Sequence, residues 1–275
     1  ENSMVSSVSL ETFLSKNKKI LSFIDALPSE LKVGPWSPVA YIVVFGYAAF
    51  VIATCKTAFL SRIVIASASV QSNSWLQVFR FFWGFYALGL SACMYQETGI
   101  WPFFSYTVTS WNLMAFRFLS AYFADVGFEF MLPIADFLKF PALVGCTITV
   151  LVWWFVLVPL CAYFLRKKHE DLIGFLHFNF SLPLLNLHFL NLILSAIEFL
   201  WTSTSLSFFD LWSGYLIALL YCLFYLNVLD PLGMHFYIIF SPRTYLCAIS
   251  YGSMIWAYFL IHHFWNDSLQ YMTLE

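Results

Sequence analysis

Charge is what this sequence has least of. Of 275 residues, 10% are Asp, Glu, Lys or Arg, against roughly 25% in soluble globular domains. The longest basic run is Arg166-Lys167-Lys168 and the net charge is −2, so no nucleic-acid partner is expected. The six cysteines (Cys55, Cys93, Cys146, Cys161, Cys222 and Cys247) lie singly in apolar sequence with neither CxxC nor zinc spacing, and read as small hydrophobes. G-x-S-x-G, H-E-x-x-H and glycine-rich phosphate loops are all missing, so no metal or cofactor is expected. Residues 1–36 lack the charged start, apolar core and cleavage site of a secretory signal. No internal repeat is visible.

What fills the chain instead is hydrocarbon. Hydrophobic residues make up 61% and aromatics 21%, and the mean hydropathy is +0.78. A soluble core of this size has no room for that much apolar surface. A bilayer core needs about 20 apolar residues per helix. Segments of that kind run over 38–60, 74–96, 101–124, 141–165, 172–201, 208–229 and 244–265. The expected fold is an all-α, polytopic transmembrane bundle of about seven spans, since helices pair their own backbone groups in lipid. Residues 125–140 are expected to form an interfacial helix.

Residues 1–36 differ in character. Leu10, Phe13, Leu14, Leu21, Ile24 and Leu27 recur at helical spacing, with Lys16, Lys18 and Lys19 elsewhere on the wheel. This predicts an N-terminal amphipathic helix, lying on the membrane or packed on the bundle. The domain plan is therefore an amphipathic segment over 1–36, a transmembrane domain over 37–265 and a short tail over 266–275. Loop basic residues number eight on the N-terminal side (Lys16, Lys18, Lys19, Lys32, Arg166, Lys167, Lys168, Arg243) and three on the other (Lys56, Arg62, Lys139). The positive-inside rule then puts the N-terminus in the cytoplasm, or in the matrix or stroma of an organelle. The endoplasmic reticulum or plasma membrane is the expected home, with membrane lipids and other membrane proteins as partners.

Polar residues inside spans are costly, so their positions carry information. In the fifth span His177, Ser181, His188, Asn191, Ser195 and Glu198 fall within about a 100° arc. That stripe is expected to face the bundle interior, with Asn179 and Asn186 turned away and Pro183 bending the helix. Glu198, His262 and His263 lie near helix ends, where the interface is their plain home. In the third span Ser105, Thr109 and Asn112 form a second stripe, with Ser120 on a similar face and Arg117 off the line. Thr109 lies about 12 Å into its span from Trp101 at 1.5 Å per residue, a depth comparable with that of His188. The bland alternative is that Ser and Thr bond back to their own turn and that His packs or hydrogen-bonds.

The segment Tyr106-Thr107-Val108-Thr109-Ser110-Trp111-Asn112-Leu113 resembles the one carrying the intramembrane threonine of the androgen-induced and androgen-dependent membrane hydrolases, and the Thr-x-Trp segment of the related rolling stone proteins. Asn186-Leu187-His188-Phe189-Leu190-Asn191, with Glu198 following, resembles that family's histidine segment and trailing acid. Trp153-Trp154 before it, and Gly214-Tyr215, Tyr225 and Pro231-Leu232-Gly233 after it, keep the family order, so the likeness covers about Trp101 to Pro242. It departs at Phe189, where rolling stone proteins tend to carry glycine, and in the first two spans. The resemblance implies hydrolysis of fatty acid esters of hydroxy fatty acids. Thr109 would be nucleophile and His188 base. Asn112 and Asn191 are candidate oxyanion donors, and Ser105 and Ser195 polar support. The competing readings are a non-catalytic structural or assembly subunit of a membrane complex, and a transporter using the polar stripe, which would want broken helices in pairs.

Overall fold

A computed structural model of the chain describes residues 34–65, 73–166, 169–232 and 241–273. The expected amphipathic helix of residues 1–36 lies almost wholly outside them. The regular structure among the described residues is helical throughout. Helix α1 is Pro38–Ile65, α2 is Ser74–Thr98 and α3 is Tyr106–Asp125. Helix α4 is Leu132–Val152, carried on by a π turn at Trp153–Leu157 and by Val158–Leu165. Helix α5 is His169–Asn179. Helix α6 is Leu182–Thr202, with a π turn at Asn186–Leu190. Helix α7 is Phe208–Leu229, ending in the π turn Tyr225–Leu229, and α8 is Leu246–Thr273.

Four of these stretches are long and apolar enough to cross a membrane: Pro38–Arg62, Glu129–Tyr163, Leu182–Thr202 and Phe208–Leu229. The exposure pattern is inverted relative to a soluble protein. Phe82, Phe155 and Phe189 are 57%, 74% and 53% exposed, while Arg80, Arg117 and Glu198 are 4%, 5% and 4% exposed. Apolar rings outside and charges inside suit hydrocarbon surroundings. The chain is a membrane protein.

Contacts divide the chain into two units, the described parts of Glu1–Ala48 with Cys222–Met254, and Ala49–Tyr221 with Ile255–Glu275. In the smaller unit, the Arg243 guanidinium donates to both oxygens of Asp230, at 2.6 and 2.9 Å, and its Nε to the Gly34 carbonyl at 3.1 Å. Trp36 Nε1 donates to Asp230 at 3.3 Å and Ser37 N to the Pro242 carbonyl at 2.8 Å. The approach to α1 is thus stapled to the segment that leads into α8.

In the larger unit, α3 is the central helix. Trp111, fully buried, donates its Nε1 to the Ala87 carbonyl of α2 at 3.0 Å. On its other side Gly145 of α4 presses so close that a Cβ there would stand 2.7 Å from Ser110 Oγ. Leu187 and Leu194 of α6 complete a core with Val108, Met114, Phe118 and Cys146. One end of the unit is marked by Ser61 Oγ accepting from Phe209 N at 3.0 Å, by the Arg62–Asp136 pair at 3.0 Å, and by Asn266 bonding the Leu206 backbone at 2.7 and 3.1 Å. Lys139 Nζ donates to the Thr204 carbonyl there, at 3.0 Å. At the other end Tyr221 donates its hydroxyl to the Phe104 carbonyl at 2.9 Å. Within this unit the ends of α1, α3, α6 and α8 lie with the starts of α2, α4 and α7, so these helices alternate in direction.

Several expectations are corrected. The stretch 125–140 is not an interfacial helix: a 3-10 turn at Glu129–Met131 leads straight into α4, and Ala135, Leu138 and Phe140 are buried in its wall. The expected fifth span, 172–201, is interrupted. Ser181 takes extended angles (φ −66°, ψ 149°) between α5 and α6. Pro183 starts α6 rather than bending it, because a first-turn position needs no backbone donor. Helix α8 continues through Thr273, into the segment read as a short tail. The third span begins as a 3-10 turn, Trp101–Phe104, before Ser105 caps α3 by accepting from Val108 N at 3.3 Å.

Candidate functional site

The break at Ser181 and the π turn of α6 decide which polar groups face inward. His177, on α5, is exposed, and Ser181 is half-buried outside the helix, so neither belongs to an interior stripe. A π turn adds a residue to one turn and shifts the phase of the faces beyond it. As a result Asn186, Leu187 and His188 are buried in succession, and Asn191, Ser195 and Glu198 follow on the inner face. Asn179 and Asn186, expected to point away, are buried and partnered. Asn179 Oδ1 accepts from Trp153 Nε1 at 2.9 Å, and Asn186 Oδ1 from the Tyr86 hydroxyl at 2.9 Å.

His188 sits where two π turns meet. Its ring stacks on Trp153 of the α4 π turn, centroids 3.8 Å apart and planes within 16°. Its Nδ1 lies 3.2 Å from the Leu184 carbonyl, and its own carbonyl accepts from Trp154 Nε1 at 2.6 Å. Thr109 occupies the first turns of α3. Its hydroxyl donates to the Ser105 carbonyl one turn back at 2.9 Å and lies 3.4 Å from the Phe103 carbonyl. It shares a helix face with Phe116, two turns on and 51% exposed. The faces bearing Trp111 and Ser110 are the ones turned to α2 and α4. The structure therefore gives Thr109 and His188 no hydrogen bond to each other.

The supporting residues are also placed separately. Asn112 Oδ1 accepts from Ser91 Oγ of α2 at 2.8 Å. Ser105 is the cap of α3, its hydroxyl donating to the Pro102 carbonyl at 2.7 Å. Asn191 turns its Oδ1 to the Leu192 amide at 2.7 Å, and its fully buried Nδ2 has no partner. Ser195 Oγ is buried without a partner too. Beside Ser91, the end of α2 and the 3-10 turn enclose an open apolar groove of about 310 Å³ lined by Ala92, Tyr95, Gln96 and Phe103. Thr109 adjoins it through the Phe103 carbonyl.

The densest polar cluster takes one member, Glu198, from the fifth-span stripe and the others from neither stripe. Arg80 of α2 donates to Glu198 of α6 through Nη2 at 2.7 Å and to Asp125 of α3 through Nη1 at 2.7 Å. Arg117 of α3 donates to the same Glu198 through Nη2 at 2.9 Å. Thr202, a turn beyond Glu198, accepts from Arg80 at 3.1 Å. Two arginines and two carboxylates balance, and each charge has an opposite partner within 3 Å. Glu198 is therefore an interior ion, not an interfacial one. His262 is likewise buried, its Nε2 3.0 Å from the Ser207 carbonyl, while His263 is exposed. The signal that points to this cluster in the sequence is that Arg80, Arg117 and Glu198 each stand inside an apolar run.

Among the described residues no group of three or more His, Cys, Asp or Glu is placed to hold a metal ion. No protein-family model, curated protein or solved structure matches the chain.

Proposed function

We propose that the protein is a non-catalytic, multi-pass membrane protein that serves as a structural or assembly subunit of a membrane complex. What carries this reading is how the intramembrane polar groups are used. Arg80, Arg117, Asp125 and Glu198 tie α2, α3 and α6 together in a closed ion network. His188 and Asn179 are engaged by Trp153, and Asn186 by Tyr86. Each is spent on holding one helix to another. We place seven spans in the membrane, with residues 1–36 on the cytoplasmic side. The alternating helix directions and the eight-to-three excess of loop Lys and Arg support that topology.

A second reading is favoured by one observation, the apolar groove beside Thr109, at the small end of ligand-site volumes. On this reading the protein is an intramembrane hydrolase of lipid esters, as the resemblance implies. The Thr109 hydroxyl attacks the ester carbonyl, and the alcohol leaves. Water then releases the acid from the acyl-enzyme, His188 moving the proton in each half-reaction. That chemistry requires Thr109 to exchange its bond to Ser105 for one to His188, and His188 to leave Trp153. The test is one preparation assayed twice. Purified protein in mild detergent should carry partner chains in fixed ratio and hydrolyse no lipid ester. Turnover that disappears in both Thr109→Ala and His188→Ala would replace the assembly reading with the enzyme.

A further inference from the structure

The ion network leaves one oxygen unused. Glu198 Oε1 accepts from Arg80 Nε at 3.2 Å, Arg80 Nη2 at 2.7 Å, Arg117 Nη2 at 2.9 Å and Thr202 Oγ1 at 3.3 Å. Every hydrogen bond of this carboxylate to the described residues converges on that atom. Oε2 has none, although Glu198 is 4% exposed. A buried carboxylate oxygen with free lone pairs is expensive.

The same carboxylate lines a small internal cavity between α3, α4 and α6. The cavity measures about 10 Å³, close to the least that admits one water molecule. Its polar wall is Glu198, Arg117, Lys139 and Ser195, and its apolar wall includes Ala142 and Phe199. Two of the polar groups are donors without acceptors: Arg117 Nε and Ser195 Oγ, on side chains 5% and 4% exposed. The residues that carry this unused acceptor and these two unpartnered donors all line one water-sized space.

We propose that this cavity is the binding site of a single ordered water molecule. The water donates to Glu198 Oε2 and accepts from the Ser195 hydroxyl and Arg117 Nε–H. Three polar partners is the usual complement of a buried water. An anion suits the site less well, because the Glu198 carboxylate forms part of the wall and a space of about 10 Å³ admits nothing larger than a water. The water makes Ser195 a member of the ion network, which would otherwise end at Glu198. The inference does not depend on which functional reading holds.

The sign of one substitution tests it. Ser195→Ala removes a hydroxyl from a helix, a change the fold tolerates and helix propensity slightly favours. If the cavity is dry, the substitution removes an unsatisfied buried hydroxyl and raises the apparent Tm in detergent. If the water is there, the substitution takes away one of its ligands and lowers the apparent Tm by a few degrees. We expect the fall; an unchanged or raised Tm overturns the proposal. A density map that resolves ordered waters gives an independent reading. It should hold one isolated peak within about 3 Å of Glu198 Oε2 and Ser195 Oγ, lost in Ser195→Ala. A clear map with no peak there also overturns it.

Discussion

Glu198→Gln is the most informative single perturbation of this protein. The replacement keeps the shape and one acceptor oxygen but removes the charge. Arg80 retains Asp125 at 2.7 Å, whereas Arg117 loses the one carboxylate with which it pairs. Arg117 is 5% exposed, so its charge has no route to water. Removing one partner of a buried ion pair costs about 3–5 kcal/mol, chiefly because the other charge is stranded. At roughly 2–4 °C per kcal/mol for a chain of this size, the apparent Tm should fall by about 10 °C. The assay is intrinsic tryptophan fluorescence during heating in mild detergent. The double variant Glu198→Gln/Arg117→Met removes the stranded charge and should recover much of the loss, a coupling that a double-mutant cycle measures. Asp125→Asn should cost less, because its side chain is 17% exposed and solvent takes over part of the pairing. A Glu198→Gln protein within a degree or two of wild type, or a double variant no better than the single one, would refute the claim that this network holds the helices together.

Other outcomes follow from the packing. Gly145→Ala should lower stability by about 1–3 kcal/mol, since its new Cβ meets Ser110 Oγ at 2.7 Å and Ser110 Cβ at 3.0 Å. Gly46→Ala, with open space around it, is the control, and only Gly145→Ala should lower the apparent Tm. Trp153→Ala should cost more than Trp153→Phe, read by the same melts, because phenylalanine keeps a ring on His188 and loses only the bond to Asn179. Arg243→Lys keeps the charge but loses the two-pronged grip on Asp230 and the bond to Gly34, so limited proteolysis should cut near residues 34–37 faster than in wild type. Tags at Glu1 and Glu275 should be accessible from opposite faces of sealed membranes. Access to both from the same face would mean an even number of spans.

Much of the helix plan was legible because lipid leaves a chain few options. Starts near 38, 74 and 208 follow from where apolar runs begin, and α1, α2 and α7 start at Pro38, Ser74 and Phe208. The polar stripe of the fifth span was legible only in part. A wheel drawn at constant pitch puts His177 and Ser181 with His188 and turns Asn186 away. A chain break and one extra residue in a turn undo that register, and neither has an unambiguous mark in the sequence. The Thr109 and His188 pair met the same limit: similar depth says nothing about which way two helices are rotated.

The sequence by itself determined that this is a helical membrane protein, because so much hydrocarbon with so few charges can be hidden neither in a soluble core nor in strands with open edges. It also determined that the few interior charges would need partners. Only the tertiary structure decided which. Arg80 meets Glu198 across 118 residues of chain and Arg117 meets it across 81. Pairing at that distance depends on which helix lies beside which, on their rotation, and on the π turn that swings the inner face of α6 into line. Composition and local spacing do not encode those quantities; the mutual packing of the helices does.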